Sequence, residues 1–170
     1  DSILKEVVAT SDIALSVSDE KGIRIVRTRE TAIGNLCADA YRSVSGADIA
    51  VVNGGGIRAD LPKGNITYSD IISVHPHGNT LCVVKATGQQ ILDMLETASR
   101  NTKAAYEENG NATGEFGGFM QVSGLKYTID TSVPSSVKLD EKGFFLSVDG
   151  ERRVKNVQVQ KKDGTYADID

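Results

Sequence analysis

The chain has 170 residues, of which 39% come from the set Ala, Val, Ile, Leu, Met, Phe, Trp, Tyr and Cys, plus 17 glycines. Wholesale disorder is excluded by this composition, and one domain over residues 1–170 is the expectation. Lys and Arg number 19 against 23 Asp and Glu, a formal net charge of −4, which excludes a nucleic-acid binder that works by bulk positive charge.

In chain order, residues 3–18 and 23–26 are rich in Ile, Leu and Val and read as extended segments around a Lys21-Gly22 turn. Ile33, Leu36, Cys37, Ala40, Tyr41 and Val44 then recur at i, i+3, i+4, i+7, i+8 and i+11. That is one apolar stripe, and it predicts a helix ending at Gly46. Asp48-Ile-Ala-Val-Val52 is a short apolar run, the profile of a buried strand, followed by Asn53-Gly-Gly-Gly56. Tyr68 to Val74 suits a short helix stopped by Pro76, and Thr80 to Ala86 a strand. Thr87 and Gln90 form a capping box ahead of Ile91, Leu95 and Ala98, which marks a second long helix. Residues 106–118, with glycines 110, 114, 117 and 118, predict a long loop. Strands are predicted at Gln121–Asp130, Phe144–Asp149 and Val154–Gln160, the last after an Asp149-Gly150 turn. Helices alternating with strands, then a run of strands, predict a mixed α+β domain with two long helices.

No apolar run approaches the roughly 18 residues of a bilayer-spanning helix, so no membrane span is expected. Cys37 and Cys82 lie far apart without a C-x-x-C. Two separate buried thiols are the expectation, with a disulfide between them left open. The chain begins at Asp1 with no initiator Met or signal peptide, and is expected to be a processed or excised piece.

Three segments carry residues that a core does not need. Arg27 and Arg29 alternate just before the first helix. In an extended segment both face one side, beside a helix N-terminus that favours anions. The competing reading is a solvated strand edge with Glu30 capping the helix. Asn53-Gly-Gly-Gly-Ile-Arg58 follows a buried strand. Gly54, Gly55 and Gly56 let backbone N–H groups approach a ligand, and Arg58 offers a fork for phosphate or carboxylate. An ordinary glycine turn is the alternative. Gly54-x-Gly56-x-x-Ala59 matches a dinucleotide fingerprint only weakly, because Pro62 and Gly64 break any helix there. His75 and His77 in Val74-His-Pro-His-Gly78 are the only histidines. A metal site would need a third ligand from elsewhere, so a turn that holds one ring out for stacking is expected. No nucleophile–base pairing or G-x-S-x-G elbow is present: no catalytic and no metal-ligating residue is assigned.

These segments, in this order, resemble the C-terminal domain of the 5'-nucleotidase family, which includes UDP-sugar hydrolases and 2',3'-cyclic phosphodiesterases. The matching residues are Arg27-Thr-Arg-Glu-Thr-Ala-Ile-Gly-Asn-Leu36, Asn53-Gly-Gly-Gly-Ile-Arg58, Ile66-Thr-Tyr68, Pro76-His-Gly-Asn79, Thr87-Gly-Gln-Gln-Ile91 and Gln121-Val-Ser-Gly124. The resemblance implies a substrate-binding domain that holds nucleoside and phosphate. A separate N-terminal metallophosphoesterase domain, with two divalent metals, would hydrolyse the ester. By position, Arg27 and Arg58 match arginines on the ribose and phosphate side, and Asn53 the asparagine beside the nucleoside. His77 stands where the family carries a base-stacking Phe. The family normally continues past the position of Asp170 with a second stacking aromatic and a Gly-Gly-Asp-Gly-aromatic motif, so the chain is expected to lack that last segment. No cofactor is expected in this domain.

The resulting expectation is a nucleotide-binding domain of a metal-dependent nucleotide phosphohydrolase, extracellular, in the cell wall or periplasmic. Its partners are a nucleotide or nucleoside and the metal domain in cis, and no nucleic acid. Alternatives are the same fold in a cyclic phosphodiesterase or UDP-sugar hydrolase, or a non-catalytic surface binding module. The isolated chain is expected to be inactive. Asn65-Ile-Thr67 and Asn111-Ala-Thr113 are glycosylation sequons.

Overall fold

A single-turn 3-10 helix at Ile3–Lys5 leads into β1 (Val7–Ser11) in the computed structural model, which describes residues 2–103 and 114–169. The first long helix, α1 (Ala32–Ser45), starts where Thr31 turns extended and its hydroxyl accepts from the Gly34 N–H. It stops at Gly46, whose φ of 66° a side chain would resist. Of its predicted apolar stripe Ile33 and Cys37 are buried, with Ala38 beside them, against Val26, Val52, Ile57, Leu61, Ile66 and Val74, and Tyr41 packs on that cluster; Leu36, Ala40 and Val44 are exposed instead.

β2 (Ala50–Asn53) is followed by a 3-10 turn at Gly54–Gly56, then β3 (Gly64–Thr67) and α2 (Tyr68–Val74). β3 pairs antiparallel with β1, Ser11 opposite Gly64. Thr67 ends β3 and caps α2 in a reciprocal box with Asp70. The second long helix, α3 (Gly88–Ser99), has the expected Thr87–Gln90 capping box.

The remaining elements are β4 (Met120–Ser123), β5 (Leu125–Ile129), β6 (Val137–Leu139), β7 (Phe145–Val148), β8 (Val154–Gln160) and β9 (Tyr166–Asp168). β4 pairs antiparallel with β2, Asn53 opposite Met120. β5, β8 and β9 form a three-stranded antiparallel sheet in that order, and β6 pairs with β7. α3 lays Leu95 on Leu125, Val154 and Val157 of that sheet, a second hydrophobic cluster. Glu96 clamps the two together: it is fully buried, and its carboxylate accepts from the N–H groups of Arg153 (2.9 Å) and Val154 (3.0 Å). The buried Arg153 guanidinium in turn donates to the carbonyls of Ser99 and Arg100 at the end of α3.

The mixed α+β class expected from the sequence is the observed one, and three expectations change in detail. Thr80–Ala86 forms no strand: within the described residues nothing pairs with it, and Leu81, Val83 and Val84 are 46%, 63% and 76% exposed. The predicted strand 121–130 is two strands, because Gly124 at φ 78° breaks it, and its halves join different sheets. A Cβ there would sit 2.3 Å from the Asp48 carbonyl oxygen. Both thiols are free; Cys37 is buried, but Cys82 is exposed on the unpaired segment. Residues 104–113, with most of the expected loop and the Asn111 sequon, lie outside the described residues.

Candidate functional site

Gln121 on β4 shapes the segment that carries the first arginines. It is 2% exposed, and its amide nitrogen donates to the carbonyls of Val26 (2.9 Å) and Arg29 (2.7 Å). Its amide oxygen accepts from the Thr31 N–H at 3.1 Å. Gly34 makes room for this side chain, since a Cβ there would lie 2.0 Å from that oxygen. The segment it grips is a turn and not a strand: the N–H groups of Thr28 and Arg29 both reach the Ile25 carbonyl. The expected shared face is therefore lost. Arg27 pairs with Glu115, while Arg29 lines a cavity elsewhere with Glu30.

The glycine turn is built on close backbone approach. A Cβ on Gly54 would sit 2.1 Å from the Val26 carbonyl oxygen, and one on Gly55 2.8 Å from the Gly117 carbonyl oxygen. The Gly54 N–H donates to Phe119 (2.7 Å) and the Gly55 N–H to Gly117 (2.9 Å). The Asn53 amide donates to the same Gly117 carbonyl at 3.2 Å. Two of the three N–H groups read from the sequence as ligand donors thus hold the 117–119 segment instead. Gly54 and Gly55 are required by packing, and the turn brings residues 24–27, 53–58 and 115–119 to one place.

Three guanidinium groups meet there. Arg27 Nη1 lies 3.3 Å and Arg24 Nε 3.5 Å from the same Glu115 oxygen, Oε1. Arg58 Nη1 donates to the Gly55 carbonyl at 3.3 Å. Burial, then the neighbouring charge of Arg27, hold the Arg24 guanidinium below its usual pKa; Glu115 opposes this and Arg58 adds to it. Arg27, Asn53 and Arg58 are thus brought together as expected. Arg24 and Glu115 were not singled out from the sequence, and the only signal for Arg24 was its place three residues before Arg27.

The Arg58 N–H donates to Val74 at the end of α2, which places the His-Pro-His segment beside the cluster. His77 is exposed, with no hydrogen bond or ring contact among the described residues. His75 is the half-buried one: its ring stands 5.7 Å from that of Tyr41, tilted by 32°. Burial lowers its pKa from the ordinary 6.5, while the Gly56 backbone works the other way.

A cavity of about 670 Å³ lies elsewhere, lined by Arg29, Glu30, Asn35, Gln121, Lys126 and Tyr127 among others, and by none of Arg27, Asn53, Arg58 or His77. Burial pushes the Tyr127 phenol up to about 12, with the Glu30 charge adding to the effect. Among the described residues no three His, Cys, Asp or Glu side chains gather as metal ligands would, and no helix is long and apolar enough to cross a membrane.

The model of the family described as 5'-nucleotidase, C-terminal domain matches residues 7–170. The chain is 41% identical over 132 residues to the trifunctional nucleotide phosphoesterase protein YfkN of Bacillus subtilis, which covers 75% of this chain and 8% of that protein. It is 33% identical over 129 residues to a 5'-nucleotidase of Vibrio parahaemolyticus, 76% of this chain and 21% of the relative. The crystal structure of a 5'-nucleotidase precursor from Thermus thermophilus superposes with a TM-score of 0.73 at 34% identity, over 99% of this chain and 28% of that one. The chain thus spans about a fifth or less of the length of these two curated relatives.

Proposed function

The chain belongs to the 5'-nucleotidase C-terminal domain family, and on that premise we propose that it is the substrate-holding domain of a nucleotide phosphohydrolase. The observation that carries this reading is the convergence of Arg24, Arg27 and Arg58 on the glycine turn, with one carboxylate among them. Such forks bind phosphate oxygens and vicinal hydroxyls in a fixed plane. On this reading Arg27 and Arg58 take the phosphate and ribose side, while Asn53 and the Gly54–Gly56 turn wall the nucleoside. His77, exposed and without a hydrogen bond or ring contact among the described residues, offers its ring to the base.

Hydrolysis would belong to a metallophosphoesterase domain joined N-terminally in cis. The two divalent metals would sit there and activate water; the described residues of this chain provide no ligand set for them. This chain's own part is to bind and orient. We place the whole protein in nucleotide breakdown outside the cell, in the cell wall or in the periplasm. The name of the Bacillus relative, a trifunctional nucleotide phosphoesterase, supports a second reading in which more than one kind of nucleotide phosphoester is a substrate.

The test is calorimetric titration with AMP and adenosine. Arg27→Ala and Arg58→Ala should each weaken AMP binding by about tenfold, since a hydrogen bond to a charged group is worth roughly 1.5 kcal/mol or more. Adenosine affinity should fall less. Equal losses for both ligands would remove the phosphate from this site.

A further inference from the structure

We propose that Glu115 is a resident carboxylate that occupies the anion position between Arg24 and Arg27, that the phosphate of the nucleotide replaces it, and that Arg24 is a further specificity-determining residue. The inference rests on the nucleotide-binding reading above and names the residues that set its selectivity for a charged ligand.

Four observations support it. Both ion pairs go to one oxygen, Glu115 Oε1, at 3.3 and 3.5 Å. Charge-assisted pairs of good geometry close to about 2.7–2.9 Å and use both oxygens, so Glu115 is loosely held. The Nε atoms of Arg24 and Arg27 are sealed from solvent and make no hydrogen bond among the described residues, Arg24 Nε reaching Glu115 only as a long ion pair at 3.5 Å. Buried N–H groups left in that state are costly, and one carboxylate cannot serve both forks. A phosphate monoester brings three terminal oxygens and close to two negative charges near neutral pH. Finally, Arg27 and Arg58 both lie within electrostatic reach of Arg24, while Glu115 pairs with Arg24 and Arg27 alone among the described residues. Glu115 also sits at the start of the segment whose Phe116 N–H donates to the Arg27 carbonyl at 3.4 Å. Releasing the carboxylate therefore frees a side chain on a segment that remains tied at Phe116, Gly117 and Phe119.

A carboxylate that must leave competes with the ligand. Removing its charge strengthens phosphate binding and leaves the uncharged nucleoside untouched. A carboxylate that merely braced the segment would do the opposite, since its loss would loosen the site for both ligands.

The experiment titrates the 170-residue chain, as wild type, Glu115→Gln and Arg24→Gln, with AMP and with adenosine at fixed ionic strength. Glu115→Gln is expected to bind AMP about threefold to fivefold more tightly, the size of a partly exposed ion pair, with adenosine affinity unchanged. Arg24→Gln is expected to weaken AMP by a similar factor and to spare adenosine. Unchanged or weaker AMP binding by a folded Glu115→Gln overturns the proposal, as does an equal gain for adenosine. Should Glu115→Gln not fold, Arg24→Gln decides alone, and an AMP affinity equal to wild type overturns it. If no variant and no wild type binds AMP, the nucleotide-binding reading falls as well. AMP binding indifferent to both substitutions removes only this inference.

Discussion

Gln121 links the core to the site. Its side chain holds Val26, Arg29 and Thr31 at once, so Gln121→Leu leaves two carbonyls and an N–H without this partner. Each such group costs about 1–3 kcal/mol, and the variant should lose about 3 kcal/mol in urea denaturation. The motif Gln121-Val-Ser-Gly124 was visible in the sequence, but its work was not. Nothing local reports that a glutamine on a late strand will bond a turn 90 residues earlier. The same is true of Arg27 and Arg29: their alternation implies one face only if the segment is extended, and the Ile25 turn sends them to different sites.

The two histidines also separate at this scale. Burial lowers the pKa of His75 in the folded chain, so the unfolded chain takes up the proton first. Stability from this residue is therefore complete above the unfolded value of about 6.5 and declines as pH falls below it toward the folded value. His75→Phe should flatten the stability–pH curve in that window, as followed by urea denaturation at several pH values. For His77, a phenyl ring offers a larger apolar face to a base. His77→Phe should tighten adenosine and AMP alike by about fivefold, near 1 kcal/mol of stacking; an unchanged affinity would remove His77 from the base contact.

Elements with their own local signals were legible. α1, α2 and α3 lie where the apolar stripe, the Pro76 stop and the Thr87–Gln90 box placed them; Thr31 and Thr67, not read as caps from the sequence, do for α1 and α2 what Thr87 does for α3 and satisfy N–H groups that no tertiary contact needs to supply. Thr87→Ala should cost about 1 kcal/mol, read by thermal unfolding. Strands were legible only where a partner exists, as pairing is non-local. Thr80–Ala86 has a β-rich composition and no ladder among the described residues, whereas β3, β6 and β9 are short and carry little apolar signal. Hydrogen exchange checks this directly: amides 81–85 should exchange near the unprotected rate, while those of β5 and β8 should be protected.

At the scale of the whole molecule, α1, β2, β3 and α2 bury one hydrophobic cluster, and α3 with the sheet of β5, β8 and β9 buries the other. The arginine cluster is held by the ends of elements around the first of these: the turn before α1, the turn after β2 and the segment before β4. Order of motifs along the chain was enough to bring Arg27, Asn53 and Arg58 together. It was not enough to foresee that the glycine N–H groups are taken, or that Glu115 stands between the arginines. On the proposed division of labour, with the metals in a separate N-terminal domain, the chain should bind nucleotide without releasing phosphate from AMP, even with added divalent metal, as checked by a phosphate-release assay.

The most direct test of this account is an AMP titration of the isotopically labelled chain, followed through its backbone amide resonances. Shifts should concentrate at residues 24–29, 53–58, 75–78 and 115–119, around the arginine cluster. Shifts confined to the cavity lined by Asn35, Lys126 and Tyr127, or none at all at millimolar AMP, would contradict the assignment of this surface as the nucleotide site.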